Sequence, residues 1–234
     1  MTAVFKREFK AYFYSPLGYV FIAAFFLLSG YFFFNYNLYG NTTDMRSLFS
    51  TLFTVTLFFI PILTMRLMSE DLKLKTDYLL LMAPIGTAGI ILGKLLAAVL
   101  VFLMAISHTL IIALVISTMA APEWPVIIGH FIGLFLLGIT LISIGMFVSA
   151  LTENQIIAAI GGFCVSFFLM LIDTLAPVID NICLRAMVTN MSFQTRYVPF
   201  TLGILDFSNI IFFLSITGLF TFFTMVAFEK RRWI

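Results

Sequence analysis

The chain has 234 residues, of which 62% are apolar, 10% are charged and 29 are phenylalanine, whereas about a quarter of an average soluble domain is charged. Water is thereby excluded as the solvent for most of the surface. The length accommodates roughly six spans of about 20 residues with short connections, and leaves nothing for a second domain. The formal net charge of +2 is too small to indicate a nucleic-acid partner, so the information lies in where the 13 basic residues fall.

The chain opens with FKREFKAYF ahead of Ser15-Pro16. Aromatic and basic residues are mixed there as in a short helix lying in a membrane interface, expected over about 4–14. Lys6, Arg7 and Lys10 followed by an apolar run also resemble the start of a signal peptide. That run is too long and has no convincing small-residue cleavage site, so it is read as a retained span. Apolar runs of spanning length follow at about 17–38, 47–68, 89–119, 125–150, 155–173 and 207–228. The third is long enough to tilt or project, and the fifth barely crosses a bilayer. Between the last two, residues at about 174–205 include Pro177, Asp180, Asn181, Arg185 and Pro199. They are too polar to span and are expected as short helices dipping back into the outer side of the membrane.

An even number of spans puts both termini on one side. Lys6, Arg7, Lys10, Arg66, Lys73, Lys75, Lys94, Lys230, Arg231 and Arg232 then share that side, and only Arg46, Arg185 and Arg196 face the other. The positive-inside bias makes the termini and the connections after spans two and four cytoplasmic. Cys164 lies inside an apolar run and Cys183 in the following connection, so both are expected as unpaired thiols.

Most candidate chemistry fails on spacing. Gly93-Lys94 is followed by Leu95, and Ala88 stands where a phosphate-binding loop needs its first glycine, so the chain is not expected to hydrolyse ATP. His108 and His130 lie on different spans without the one-turn spacing of a zinc protease, and no metal or cofactor site is expected. Both are read as polar bundle residues bonded to a neighbour. Asp173 and Asp206 lack a protease signature and are read as helix caps. Gly129 and Gly133 form a GxxxG spacing, read as ordinary close helix packing rather than a dedicated dimer seam. The phenylalanines are read as packing or lipid-facing surface before a greasy substrate path.

The informative stretch is the connection after span two, SEDLKLKTDYLLLMAPIG at 69–86. Glu70, Asp71, Lys73, Lys75 and Asp77 crowd its first half, and Leu79, Leu80 and Leu81 lead to Pro84. A helix begun at Ser69 would place its acidic first turn at the positive end of its own dipole, and would stop before Pro84. The expected helix, about 69–83, lies along the membrane face and offers charges and leucines to a partner beyond it; the competing reading is a solvated hairpin. The second cytoplasmic connection, Leu151-Thr152-Glu153-Asn154-Gln155, is short and polar and offers a smaller contact at the same face.

On these residues the chain resembles the membrane subunits of ABC type-2 exporters, in particular the gliding-motility-associated permease group. That family carries an interfacial helix before span one. After span two it carries a coupling helix with an acidic residue, a Gly-Thr step, a second acidic residue, a leucine pair and a proline. The counterparts here are Glu70, Thr76, Asp77, Leu79, Leu80 and Pro84, followed by Gly93-Lys94 at the opening of span three. FKREFKAYFYSPLGYV, LTENQIIAAI, FTLGILDFSNIIFFLS and FEKRRW extend the resemblance over nearly the whole chain. Two departures are Lys75 in place of the glycine and the short Asp77 as second acidic residue.

The resemblance implies an all-α integral membrane fold like that of type V ABC exporters: six transmembrane helices, an N-terminal interfacial helix and a cytoplasmic coupling helix in one permease domain over 1–234. It implies a multi-pass protein of a bacterial or archaeal cytoplasmic membrane that pairs with a second permease half, identical or related. Two cytosolic ATPase subunits would hold the ATP and Mg, and this chain no cofactor. Glu70, Asp71, Thr76, Asp77, Leu79, Leu80 and Pro84 would couple to the ATPase, Glu153 and Asn154 would touch the same partner, and the segment at 174–205 would gate the exit. Two other functions are consistent with six spans. An ion- or proton-coupled secondary transporter would place carboxylates or broken helices near the membrane midplane, whereas the acidic residues here sit at span ends. A membrane scaffold that recruits an ATPase without moving a solute would carry the same coupling helix.

Overall fold

The protein is described from a computed structural model covering residues 1–40, 42–82, 86–119, 123–175 and 181–230, without the side chains at 79–81, 173, 175, 182, 183, 186 and 187. Pro84, Pro177, Asp180, Arg231, Arg232 and the side chains of Leu79, Leu80, Asp173 and Cys183 therefore lie outside the described residues. All regular structure within them is helical, and six of the helices are long and apolar enough to cross a membrane.

Helix α1 (Thr2–Tyr14) buries Val4 and Tyr12, while Phe5, Phe9 and Phe13 form a second stripe with ring centroids 6.0 and 5.0 Å apart. Pro16 has no amide hydrogen to continue the helix and holds Ser15 extended (φ −90°, ψ 154°), so the chain bends and restarts as α2 (Pro16–Phe33). A π-helical turn, Phe34–Tyr39, extends α2. The Asn37 amide donates to the carbonyls of Thr42 and Asp44 at 3.0 and 3.1 Å, closing the reversal into α3 (Arg46–Thr64).

The spans α3, α6 (Thr87–Met119), α7 (Trp124–Ala150), α8 (Gln155–Leu175) and α11 (Phe207–Lys230) follow the expected order with ends shifted by a few residues. The exception is α3, which stops at Thr64 and is followed by a turn at 65–68. At 33 residues, α6 is about 50 Å long, well over the roughly 30 Å of hydrocarbon in a bilayer.

Helix α7 is the hub, packing against α3, α6, α8, α10 (Phe193–Thr201) and α11. Among spans in lipid the hydrophobic effect gives no net drive to associate, so close packing and polar contacts between helices decide the arrangement. Thr140 of α7 accordingly donates to the Phe213 carbonyl of α11 at 3.1 Å. The phenylalanines divide: Phe25, Phe49, Phe102, Phe200 and Phe213 are fully buried, whereas Phe168, Phe207 and Phe222 face outward.

Within the segment at 174–205, the described residues after α8 include two short helices, α9 (Ile182–Met191) and α10. The GxxxG pair of α7 is where α10 seats. A Cβ at Gly129 would lie 2.6 Å from the Phe200 carbonyl oxygen, and one at Gly133 would lie 2.8 Å from Phe200 Cβ. The close packing expected there is thus within the chain. Asp206 caps α11 as expected, its Oδ1 accepting from the Ser208 amide at 2.9 Å. His130 departs from expectation. It is fully buried, neither ring nitrogen has a hydrogen-bond partner, and the ring stacks on Phe49 with centroids 4.4 Å apart. His108 stacks likewise on Phe26 at 4.3 Å. Aromatic faces, rather than hydrogen bonds, accommodate the two imidazoles.

Candidate functional site

The single helix expected over about 69–83 is two helices, α4 (Ser69–Leu74) and α5 (Asp77–Met82). Lys75 ends α4 in the left-handed region at φ 54°; its amide donates to the Leu72 carbonyl at 3.3 Å and the Thr76 amide to Asp71 at 3.0 Å. This 5→2 and 6→1 pair is a Schellman stop, whose left-handed position glycine fills at least cost. The glycine expected there by family resemblance is the residue this geometry favours, and Lys75 adopts the same conformation.

Asp71 shows why the break is stable. Its Oδ1 accepts from the Thr76 hydroxyl at 2.6 Å, tying the residue after the break to the first turn before it. Its Oδ2 lies 2.5 Å from Lys94 Nζ and 3.4 Å from the Arg7 guanidinium. Glu8 closes the figure, paired with Arg7 and 3.1 Å from Lys94. Two cations and two carboxylates thus form a ring in which each cation touches both anions, joining α1 (Arg7, Glu8), α4 (Asp71) and α6 (Lys94). Lys94 is only 2% exposed and also donates to the Leu67 carbonyl at 2.7 Å. A buried ammonium needs this degree of compensation. Burial opposes the charge on Arg7, but Glu8 and Asp71 outweigh it and hold the guanidinium above its ordinary value.

The neighbouring contacts fix the same element. Gly93 lets α1 approach α6, since a Cβ there would meet the Met1 carbonyl oxygen and the Val4 side chain at 3.2 Å. Tyr12 donates to the Leu63 carbonyl at 3.1 Å, and burial pushes its hydroxyl pKa well up. Ser149 of α7 serves the turn into α4: its hydroxyl accepts from the Met68 and Ser69 amides at 3.1 and 3.0 Å and donates to the Met65 carbonyl at 3.0 Å. Without it two buried amides at the start of α4 would lose their acceptor.

Of the residues singled out from sequence, Asp71 and Thr76 turn inward to this network. Glu70 pairs with Arg66 one turn away, and Asp77 is 2% exposed with Oδ1 lacking a hydrogen-bond partner. Glu153 and Asn154 are exposed at the α7–α8 turn, where Asn154 Oδ1 caps α8 through the Ile156 amide at 2.9 Å. Helix α4 packs on both α7 and α8, so the turn shares the α4 face of the bundle. Among the described side chains, the outward surface of α4 and α5 carries Lys73 and Lys75 together with three residues not singled out from sequence, Leu74, Tyr78 and Met82, which are 63%, 50% and 82% exposed. Glu8, Lys94 and Ser149 were also missed. A lysine inside an apolar run was the one available signal, because a charge placed there requires a counter-charge.

The chain matches no family model and no curated protein sequence.

Proposed function

We propose that the chain is the transmembrane permease subunit of an ATP-binding cassette exporter, moving a substrate across the cytoplasmic membrane with ATP hydrolysed by separate cytosolic subunits. The observation that carries this reading is the element between spans two and three. It is anchored from within by the four-charge ring and by Ser149, yet its outer side presents Leu74, Tyr78 and Met82. Apolar side chains left bare on a tethered element beyond the spans are the form of a protein docking surface.

In this reading the cytoplasmic ATPase dimer grips α4 and α5 from below. Its closure on ATP displaces them, and the ring carries that displacement to α1 and α6 together. The energy comes from the difference in ATPase affinity for the two arrangements of the bundle, since the spans have no source of their own. Asp71, Thr76 and Lys94 transmit, Leu74, Tyr78 and Met82 contact the partner, and Glu153 and Asn154 add a flanking contact. The sparsely buried spans α2, α8 and α11 face lipid or the second permease half.

The test is reconstitution of the complex, purified from its native membrane, into vesicles. ATP-dependent flux of a co-purified solute supports the exporter. ATP hydrolysis without flux identifies a scaffold, and flux driven by an ion gradient without ATP identifies a secondary transporter; either result overturns the proposal.

A further inference from the structure

A cleft of about 350 Å³ opens between the first turns of α1 and the flank of α6, lined chiefly by Met1 and Phe5 on one side and Leu96, Val99, Leu100 and Leu103 on the other. The α6 residues recur at helical spacing and form a stripe about 10 Å long running away from α1 toward the middle of the span. Lys6 follows the cleft residue Phe5 in sequence and Lys10 lies one turn further along α1, both exposed. Neither lysine has an ion-pair partner among the described residues, because Glu8, the one carboxylate of α1, is held by Arg7 and Lys94. The ring that holds Glu8 also fixes the rotation of α1. Phe5, Phe9 and Phe13, four residues apart, form one stripe in which Phe5 stacks on Phe9 and Phe13 is tilted against Phe9, and the two lysines border the stripe.

We propose that this cleft binds an anionic phospholipid from the leaflet at the α1 end, with an acyl chain along the α6 stripe and the headgroup phosphate at Lys6 and Lys10. Charge complementarity selects this occupant. A zwitterionic lipid offers the same phosphate but adds a headgroup cation, which cancels the net charge facing the two lysines. A second copy of the chain offers little acidic surface at this end: Glu8, Glu70, Asp71 and Glu229 are bonded within the chain, Asp77 is buried, and Glu153 lies apart at the α7–α8 turn. The site requires no ATPase and stands apart from the proposed transport function.

Native mass spectrometry of the full chain in detergent, titrated with phosphatidylglycerol or phosphatidylcholine of identical acyl chains, tests the site. Basic side chains near an anionic headgroup contribute roughly fivefold each, so the expected preference for phosphatidylglycerol is about 25-fold. Lys6→Gln with Lys10→Gln should reduce its retention to that of phosphatidylcholine, and Leu100→Trp should weaken both lipids by filling the cleft. If the Leu100→Trp protein fails to fold, Leu96→Trp at the exposed rim replaces it. Equal retention of the two lipids by the unmodified chain overturns the proposal. So does a preference that survives loss of both lysines, or unchanged binding in the filled cleft. A dimer lost on filling the cleft would assign it to a second copy and also overturn the proposal.

Discussion

Replacing Lys94 by methionine removes one of the two cations that hold Glu8 and Asp71. The ammonium is 2% exposed and both carboxylate side chains are 14% exposed, so the substitution leaves two nearly buried anions sharing one guanidinium. Breaking a buried ion pair by deleting one partner costs about 3–5 kcal/mol. Arg7 remains in contact with both anions but is 47% exposed and thus partly screened, while Thr76 keeps its bond to Asp71. The expected loss is therefore about 2–4 kcal/mol, read as reduced resistance to unfolding in a titration from mild to denaturing detergent. Adding Asp71→Asn to Lys94→Met removes an orphaned charge and should recover part of the loss, giving a coupling of at least about 1 kcal/mol in the double-mutant cycle. A loss below about 0.5 kcal/mol for Lys94→Met, or strict additivity with Asp71→Asn, would refute the ring as the fastening of α1, α4 and α6.

Ser149→Ala deprives the Met68 and Ser69 amides of their acceptor and should cost about 1–3 kcal/mol, with faster hydrogen exchange confined to the start of α4. Lys75→Gly removes the penalty of a side chain at φ 54°, while a more flexible unfolded chain offsets part of the gain. Exchange of the Thr76 amide should slow up to about fivefold, whereas Lys75→Val should speed it. Gly133→Leu drives side-chain atoms into Phe200 and Tyr197, so α10 should shift from α7 at a cost of about 1–3 kcal/mol. Thiol labelling of a cysteine placed at Tyr197, buried in the unmodified chain, reads that displacement.

The spans were legible because each is a continuous apolar run whose length the bilayer sets, and α1 because basic and aromatic residues are mixed there just ahead of Ser15-Pro16. The break in the element after span two was not, since Lys75 carries no mark of the left-handed conformation that glycine would have announced. Nor was the true end of α3, because the turn at 65–68 is held by Ser149, some 80 positions away in sequence. The ring was hidden for the same reason: Arg7 and Glu8, Asp71, and Lys94 come from three separate stretches, and only folding brings them together. The acidic residues at 70–77 were noticed for their charge and assigned outward. Burial instead directs Asp71 and Thr76 inward and leaves Leu74, Tyr78 and Met82 on the outside.

The proposal that α4 and α5 dock a cytosolic ATPase is tested most directly by a photoreactive amino acid at Tyr78 in the intact native membrane, with Phe168 on a lateral face as control. The account predicts an adduct at position 78, absent at 168, whose peptides contain a phosphate-binding loop and whose yield changes when ATP is added. An adduct lacking such a loop, or no protein adduct at position 78 while the chain remains folded in the membrane, would contradict it.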